Sequence, residues 1–461
     1  MRLWLHALRV VRPRQALARA TRPVRRRRFP QGPSGPLRAL QANEPLWRSP
    51  AFAPLGAQPE PGSRLARFHA GYGEDVLEAA REGGDALTPA RAWIAAYPPR
   101  RDDLWHPYVA STRAANWIAA ATLDPALRPV IAESVRRALA RVAANVEDDV
   151  LGNHVIRNAK ALVLGGVAFD DAALRRRGEA LLRRELPEQV LADGGHYERS
   201  PAYHRLVLRD LLELRPFVDV EDEVERMARF AAASSRPDGA PALFNDGGLD
   251  VAPRLELPRP PTGMSVFEET GYVFVNEDDL WLAFDCGPPS PPFLPAHAHA
   301  DALSFQLWFR GRAVVVDPGM PVYEAGAERD FLRSTAAHST VCVGGGQFER
   351  WGAFRAGPLP DVRLVEADAT TLAGRVRDAR GVGHERRIRL RRDRIEVEDE
   401  LAGVRGRSVR STLVVAEDVG ATIAAAGDTG REPRTISERF GERRPAAALV
   451  QHGAGSWTIE R

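Results

Sequence analysis

The sequence predicts an α+β multidomain chain, a helical half followed by an antiparallel β-sandwich, and three observations carry that prediction. From about Phe68 to Phe230 apolar residues recur at spacings of three and four, the mark of amphipathic helices. After the loop SSRPDGAPALFNDGG the period drops to two, and short apolar runs are separated by Gly and Asp turns. The second half lacks the strand-helix-strand alternation that a parallel sheet requires. With 461 residues, 44% of them apolar and nine of them tryptophan, the chain can bury two sizeable cores, which excludes wholesale disorder.

The first 60 residues stand apart from both halves. Twelve arginines against one acid, Glu44, give the first 50 residues a net charge of +11, whereas the rest of the chain carries −8. The basic excess is therefore an N-terminal arm, and the body offers no sign of nucleic-acid binding. Arginines at 2, 9, 12, 14 and 19 interrupt every apolar run of the arm. It thus holds neither the roughly 7–15 apolar residues of a secretory leader nor the roughly 18–20 of a membrane span. What remains is a basic helix packed on the body or in weak contact with an acidic lipid surface, with the cytoplasm favoured over the periplasm or the exterior. Residues 29 to 63, rich in Pro, Gly and Ala, read as a connector.

The expected domains are therefore 1–60 for arm and linker, 61–250 for the helices and 251–461 for the sandwich. Stretches such as WHPYVASTRAANWIAAATL, PVIAESVRRALARVAANVED and YHRLVLRDLLELRPF, joined by short turns, point to paired helices in a solenoid or toroid. ETGYVFVNE, DLWLAFDCG, AVVVDPG, STVCVGG and ERRIRLRRDRIEVEDEL are among the expected strands. Cys286 and Cys342 are too far apart for a metal knuckle and read as buried thiols.

In LPAHAHADALSFQLWFRGRAVVVDPG, residues 294 to 319, two of the chain's 11 histidines stand one residue apart ahead of an apolar run. On a strand, side chains at i and i+2 share a face. His297 and His299 then look into one site, with Leu303, Phe305 and Leu307 continuing on that face into the core. A histidine so placed is ordinarily a hydrogen-bonded core residue. Two further candidates lie at strand ends, however: Asp317, before the Pro-Gly turn of AVVVDPG, and His338, in RSTAAHSTVCV. Two imidazoles and a carboxylate suit zinc, leaving a fourth position for water or a neighbouring side chain. Asp301 reads either as a partner that fixes an imidazole tautomer or as a turn residue.

HAHADALSF, VVVDPGMPVY and RSTAAHSTV, in that order, resemble the heparinase II/III-like domain of polysaccharide lyases. GNHVIRNAKALVLGGVAF, at 152–169, and DGGHYERSPAYHRLVLRDLLEL, at 193–214, extend the resemblance to the helical half. The resemblance implies an incomplete α/α toroid followed by an antiparallel β-sandwich. It implies zinc, structural or site-organising, on His299, Asp317 and His338, and it places His297 beside the metal, facing the substrate cleft.

It also implies β-elimination on an acidic polysaccharide. The C5 proton of a uronate is weakly acidic because the neighbouring carboxylate resists further negative charge. The reaction therefore needs a group to neutralise that carboxylate, a base for the proton and an acid for the leaving oxygen. Asn153 and His154 resemble the family's carboxylate-binding pair. Tyr203 resembles its proton-donating tyrosine, which on some substrates is also the base, with His297 the second candidate. A phenol titrates near 10 and needs positive neighbours to act as a base; Arg199, His204 and Arg205 are near in sequence. Arg113 and Asn116, with Trp105, read as sugar-binding or as helix packing, and Tyr323 as a cleft or core tyrosine. Asn245 and Asp246 line the cleft or shape a turn.

Heparan sulfate or a heparin-like glycosaminoglycan is the first substrate expected. Alginate or a bacterial exopolysaccharide comes next, and a non-catalytic carbohydrate-binding protein with structural zinc is the alternative. A glycoside hydrolase needs two facing carboxylates, and Glu198 with Asp246 is the pairing available. Arg157 stands one turn after His154, where some relatives place an acid.

Overall fold

A computed structural model describes the chain except residues 1–5, 7–8, 26–30, 101, 252, 420 and 461. Helices occupy its first part up to Ala233 and antiparallel strands begin at Gly263. The longest helices are Pro107–Leu123, Arg128–Ala144, Asn153–Ala168, Ala172–Gln189 and Pro201–Leu214. Small residues let them pack closely: the Ala-rich face of Pro107–Leu123 is almost wholly buried. Gly178 sits where a Cβ would meet the Ala159 carbonyl at 2.8 Å, so two helices touch backbone to backbone.

The sandwich consists of a nine-stranded sheet and a six-stranded sheet. In the first, Gly263–Phe267, Tyr272–Asn276, Leu280–Asp285, Phe305–Phe309, Arg312–Val315 and Val409–Ala416 lie side by side, the last also pairing with Val341–Val343. Alternation places Leu282, Leu307, Ile388, Val397 and Trp457 between the sheets, while strand Gly383–Leu390 buries every second residue. Of the two cysteines, Cys286 is buried and Cys342 is only partly so.

A third apolar cluster fixes the two halves to each other. Phe230 and Ala233, at the end of the last long helix, pack with Phe244, Tyr272, Phe274 and Trp281 of the first sheet. The basic arm also joins the halves. Helix Pro13–Arg25 lies on the body, with Arg14 paired to Glu185 at 2.7 Å, Arg22 to Asp149 at 3.1 Å, and Arg12 paired to Glu188. The Arg12 guanidinium also stacks on Phe293, and Gln15 Nε2 donates to the Phe293 carbonyl, both on the approach to His297. Among the described residues no helix is long and apolar enough to cross a membrane.

Candidate active site

A cavity of about 360 Å³ between the halves is lined by Asn153, His154, Tyr203, His297, Tyr323 and Asn116. Each side chain is held there by a local device. Helix Asn153–Ala168 starts at Gly152, whose φ of +61° and lack of a side chain admit the Glu198 carboxylate; a Cβ would lie 1.8 Å from Glu198 Oε1. Glu198 caps that helix by accepting from Asn153 N at 2.8 Å, and its two oxygens accept from Asn153 Nδ2 at 3.2 and 3.0 Å. Helix Pro201–Leu214 is capped by Ser200, which accepts from Tyr203 N and donates to the Asp246 carbonyl. Of the six described non-glycine residues with positive φ, Leu151, Arg199 and Asn245 each lie within two residues of a cavity or site side chain, whereas Asp170 and Arg310 lie elsewhere. Such backbone costs about 1–3 kcal/mol apiece and collects where function demands it.

His297 and His299 share one side of the chain as expected, but not on a strand. Strand pairing begins only at Phe305, because Ser304 N turns back to Asp301 O and Leu303 takes a φ of +65°. Ala298 and Ala300 face the opposite way, into a small apolar cluster with Phe348. The common target of the two histidines is Asp246: His297 Nδ1 lies 3.0 Å from Oδ2 and His299 Nε2 3.0 Å from Oδ1. Arg329 completes the group with bonds of 2.9 and 2.7 Å to the same two oxygens. Burial works against the Asp246 charge, but Arg329 and the two imidazoles together hold its carboxyl well below the usual range.

Tyr203 stacks on the His297 ring, centroids 4.1 Å apart, and its Oη donates to Tyr323 Oη at 3.1 Å. Burial, then Tyr323 and Asp246, push the Tyr203 phenol well above 10. The three residues expected to give it a positive neighbourhood are engaged elsewhere. Arg199 reaches the Thr270 and Glu269 carbonyls, Arg205 reaches Gly239 O and Ser235, and His204 Nε2 donates to Met227 O. Burial drives His204 down to about 3, so it is neutral. Arg199 and His204 are thus interior braces, turned away from the cavity because backbone carbonyls need donors there. Arg113 is another: it donates to Gly71 O and Leu104 O, both at 2.9 Å, between Trp93 and Trp105. Asn116 does line the cavity, though its amide is committed to the Tyr72 carbonyl.

His154 Nδ1 donates to Glu147 Oε1 at 3.0 Å, and its ring lies 4.4 Å from that of Tyr108. Burial opposes charge on this imidazole, but Glu147 outweighs it and raises the pKa. Glu198 is the cavity residue that sequence reasoning placed only as half of a hydrolase pair. It lies 3.7 Å from His297 Nε2 as well as against Asn153. Its partners come from residues 45 and 99 positions away, so no local pattern announces it. Asp246 and Glu198 thus flank the same histidine, on opposite nitrogens, rather than facing each other across open space.

Behind His297 lies a buried cluster in which ligand atoms of His299, Asp301 and His338 come within 4.8 Å of one another. Asp317, the carboxylate expected among the ligands, is hydrogen-bonded to His338 Nδ1 at 2.9 Å. Two of the three could accept a cation at once, since His299 Nδ1 and Asp301 Oδ1 are buried without a hydrogen-bond partner. His338 would first have to release Asp317 from Nδ1, its Nε2 being held by the Leu332 carbonyl at 2.8 Å. Asp285 is pushed well above the carboxylate range by burial and then by the negative charges of Asp301 and Asp317. Buried imidazole and carboxylate groups of this kind have the donor chemistry that a divalent metal requires.

Residues 259–460 match the heparinase II/III-like C-terminal family and residues 140–249 the heparinase II/III N-terminus family. A heparin-sulfate lyase of Bacteroides stercoris is 28% identical over a stretch covering 42% of this chain and 35% of that protein. The FtsZ-localized protein C of Caulobacter vibrioides is 30% identical over 47% of this chain and 39% of its own length. These stretches span little more than a third of the relatives. A crystal structure of heparinase III superposes with a TM-score of 0.68 at 15% identity, covering 88% of this chain and 78% of that one. The heparan sulfate lyase HepC of Pedobacter heparinus gives 0.56 at 17% identity, covering 90% and 78%. Helical half, sandwich and both family matches agree, and the chain belongs to the heparinase II/III-like family.

Proposed function

We propose that this protein is a polysaccharide lyase that cleaves a uronate-containing glycosaminoglycan of the heparan type by β-elimination, leaving a 4,5-unsaturated uronate. The observation that carries the reading is the stacked Tyr203–His297 pair lining one cavity together with Asn153 and His154. Tyr203, a phenol held protonated, is the acid for the leaving oxygen. His297 is the base for the C5 proton, because its Nε2 is the ring nitrogen turned to the cavity side. His154, favoured as a cation by Glu147, neutralises the substrate carboxylate as enolate charge develops. Asn153 assists once substrate displaces part of its contact with Glu198.

The buried cluster would hold zinc through His299 and His338, with Asp301 and Asp317 supplying carboxylate oxygen. Its chemistry there would be a fixed positive charge that ties three chain segments together behind His297. Relatives named as heparin-sulfate lyases support the substrate class. The cavity's own charge supports its lightly sulfated members. Lining cations Arg22, Arg64, Arg157, Lys160 and Arg209 are each already paired with Asp149, Asp103, Asp210 or Glu213. They therefore offer little unspent charge to a densely sulfated chain.

The test is ultraviolet absorbance of the unsaturated product with heparan sulfate, heparin, hyaluronan, chondroitin and alginate as substrates, Tyr203→Phe alongside. We expect absorbance to rise on heparan sulfate, faster than on heparin, and the mutant to abolish it. A flat trace on all five with folded protein rejects this reading.

A further inference from the structure

We infer that Asp246 is a positioning residue that sets the tautomers of both His297 and His299, making one imidazole a proton acceptor toward the cavity and the other a metal ligand. The inference rests on the proposed lyase reading for the role of His297, but its geometry stands independently.

Asp246 lies in the loop that joins the last long helix to the first strand, and it is completely buried. Its loop is clamped to the histidine segment by backbone as well as side chain. Asp246 N donates to the His297 carbonyl at 3.0 Å, and His299 N donates to Asn245 Oδ1 at 2.8 Å. The carboxylate then meets four donors. Arg329, itself buried, supplies two of them, and His297 Nδ1 and His299 Nε2 supply the others. An aspartate gripped by both arms of a guanidinium has no proton to give, so each ring nitrogen touching it must carry the hydrogen.

A neutral imidazole has only one such hydrogen. Contact through Nδ1 therefore leaves the lone pair of a neutral His297 on Nε2, the nitrogen 3.7 Å from Glu198 at the cavity wall. Contact through Nε2 leaves the lone pair of His299 on Nδ1, and that atom is buried, has no hydrogen-bond partner and belongs to the cluster with Asp301 and His338. The two histidines, two residues apart, thus present opposite nitrogens to one carboxylate and gain opposite duties. An amide at position 246 has a single acceptor oxygen, so it would release at least one imidazole to the other tautomer.

The experiment is long-range proton–nitrogen correlation spectroscopy of the full chain labelled with 15N-histidine, before and after zinc addition. Signals are assigned through His297→Gln and His299→Gln. Asp246→Asn alone would leave Arg329 as an uncompensated buried charge, so the double variant Asp246→Asn/Arg329→Gln is measured with it, and folding is checked by thermal melting. We expect the Nδ1–H form for His297 and the Nε2–H form for His299 in the wild type. In the double variant we expect loss of at least one of them, about 10- to 100-fold weaker zinc retention against a chelator, and a similar fall in kcat with KM little changed. A wild-type His297 in the Nε2–H form overturns the inference whether or not the variant folds. So does a folded double variant that keeps both tautomers and its zinc. If the tautomers are as stated but no polymer is cleaved, the positioning role stands and the lyase reading fails.

Discussion

Tyr203 and His297 touch face to face, yet their surroundings push them toward opposite halves of a proton transfer. The phenol is walled by Tyr323 and sits near Asp246, both of which penalise a phenolate. The imidazole turns Nε2 to Glu198 on the cavity wall, since Asp246 occupies Nδ1. Removing the phenolic oxygen with Tyr203→Phe deletes the acid without deleting the stacking, so kcat should fall about 10²- to 10⁴-fold while KM moves little. Tyr323→Phe removes only the hydroxyl that accepts from Tyr203. We expect about a tenfold loss in kcat, read in the same assay. His297→Gln and His299→Ala separate the two histidines. The first should abolish elimination with metal content intact, and the second should lose metal and melt at a lower temperature. Equal metal content in both proteins would contradict the division of labour.

At the scale of the element, helix Pro13–Arg25 matters most where it meets residues far along the chain. Arg14 reaches Glu185, a side chain fully screened from solvent, and the same helix holds the Phe293 carbonyl four residues before His297. Exposed ion pairs contribute about 0–1 kcal/mol, but reversing Arg14 would set two carboxylates together at a buried site. Arg14→Glu should therefore cost about 1–3 kcal/mol, seen in calorimetry as a melting point lower by several degrees at low salt and by less at high salt. Identical melts at low salt would show that the arm does not brace the body. This packing was half legible in the sequence. Arginine spacing and the absence of an apolar run showed a basic helix, but Glu185 and Glu188 lie about 170 positions downstream and nothing local links them. The same limit explains the site. Asn153, His154, Tyr203 and His297 stand in recognisable runs and converge on one cavity. Asp246 and Glu198 act through partners 45 to 99 residues away, and Arg113, Arg199 and His204 are near the right motifs but point into the interior. Proximity in sequence indicated their neighbourhood, whereas direction was set by which backbone carbonyls lacked a donor.

For the whole molecule, the joint between helices and sandwich contains a pH dependence of definite sign. His204 donates from Nε2 to the Met227 carbonyl and accepts from His196 N at Nδ1, with its ring against Phe230 in the joint. His196 is buried beside it and donates from Nε2 to Gln189. Burial lowers these imidazoles to about 3 and about 4, whereas the unfolded chain titrates them near 6.5. Below about pH 6.5 the unfolded state thus binds protons that the folded state refuses, so stability is full above that pH and falls as the solution is acidified toward 4. Each histidine adds a slope of up to about 1.4 kcal/mol per pH unit. His154 has the reverse sign, because its pKa is raised; its contribution is present in acid and is lost as pH climbs through the folded value. Urea unfolding at a series of pH values between 4 and 7 should therefore show stability decreasing with acid in the wild type. His204→Gln, which keeps a donor for Met227 but cannot bind the proton, should flatten that slope by close to one histidine's share, even if its absolute stability is lower. A slope unchanged in the variant would mean that His204 takes up its proton without unfolding the joint, and that the two halves separate more easily than their shared apolar cluster implies.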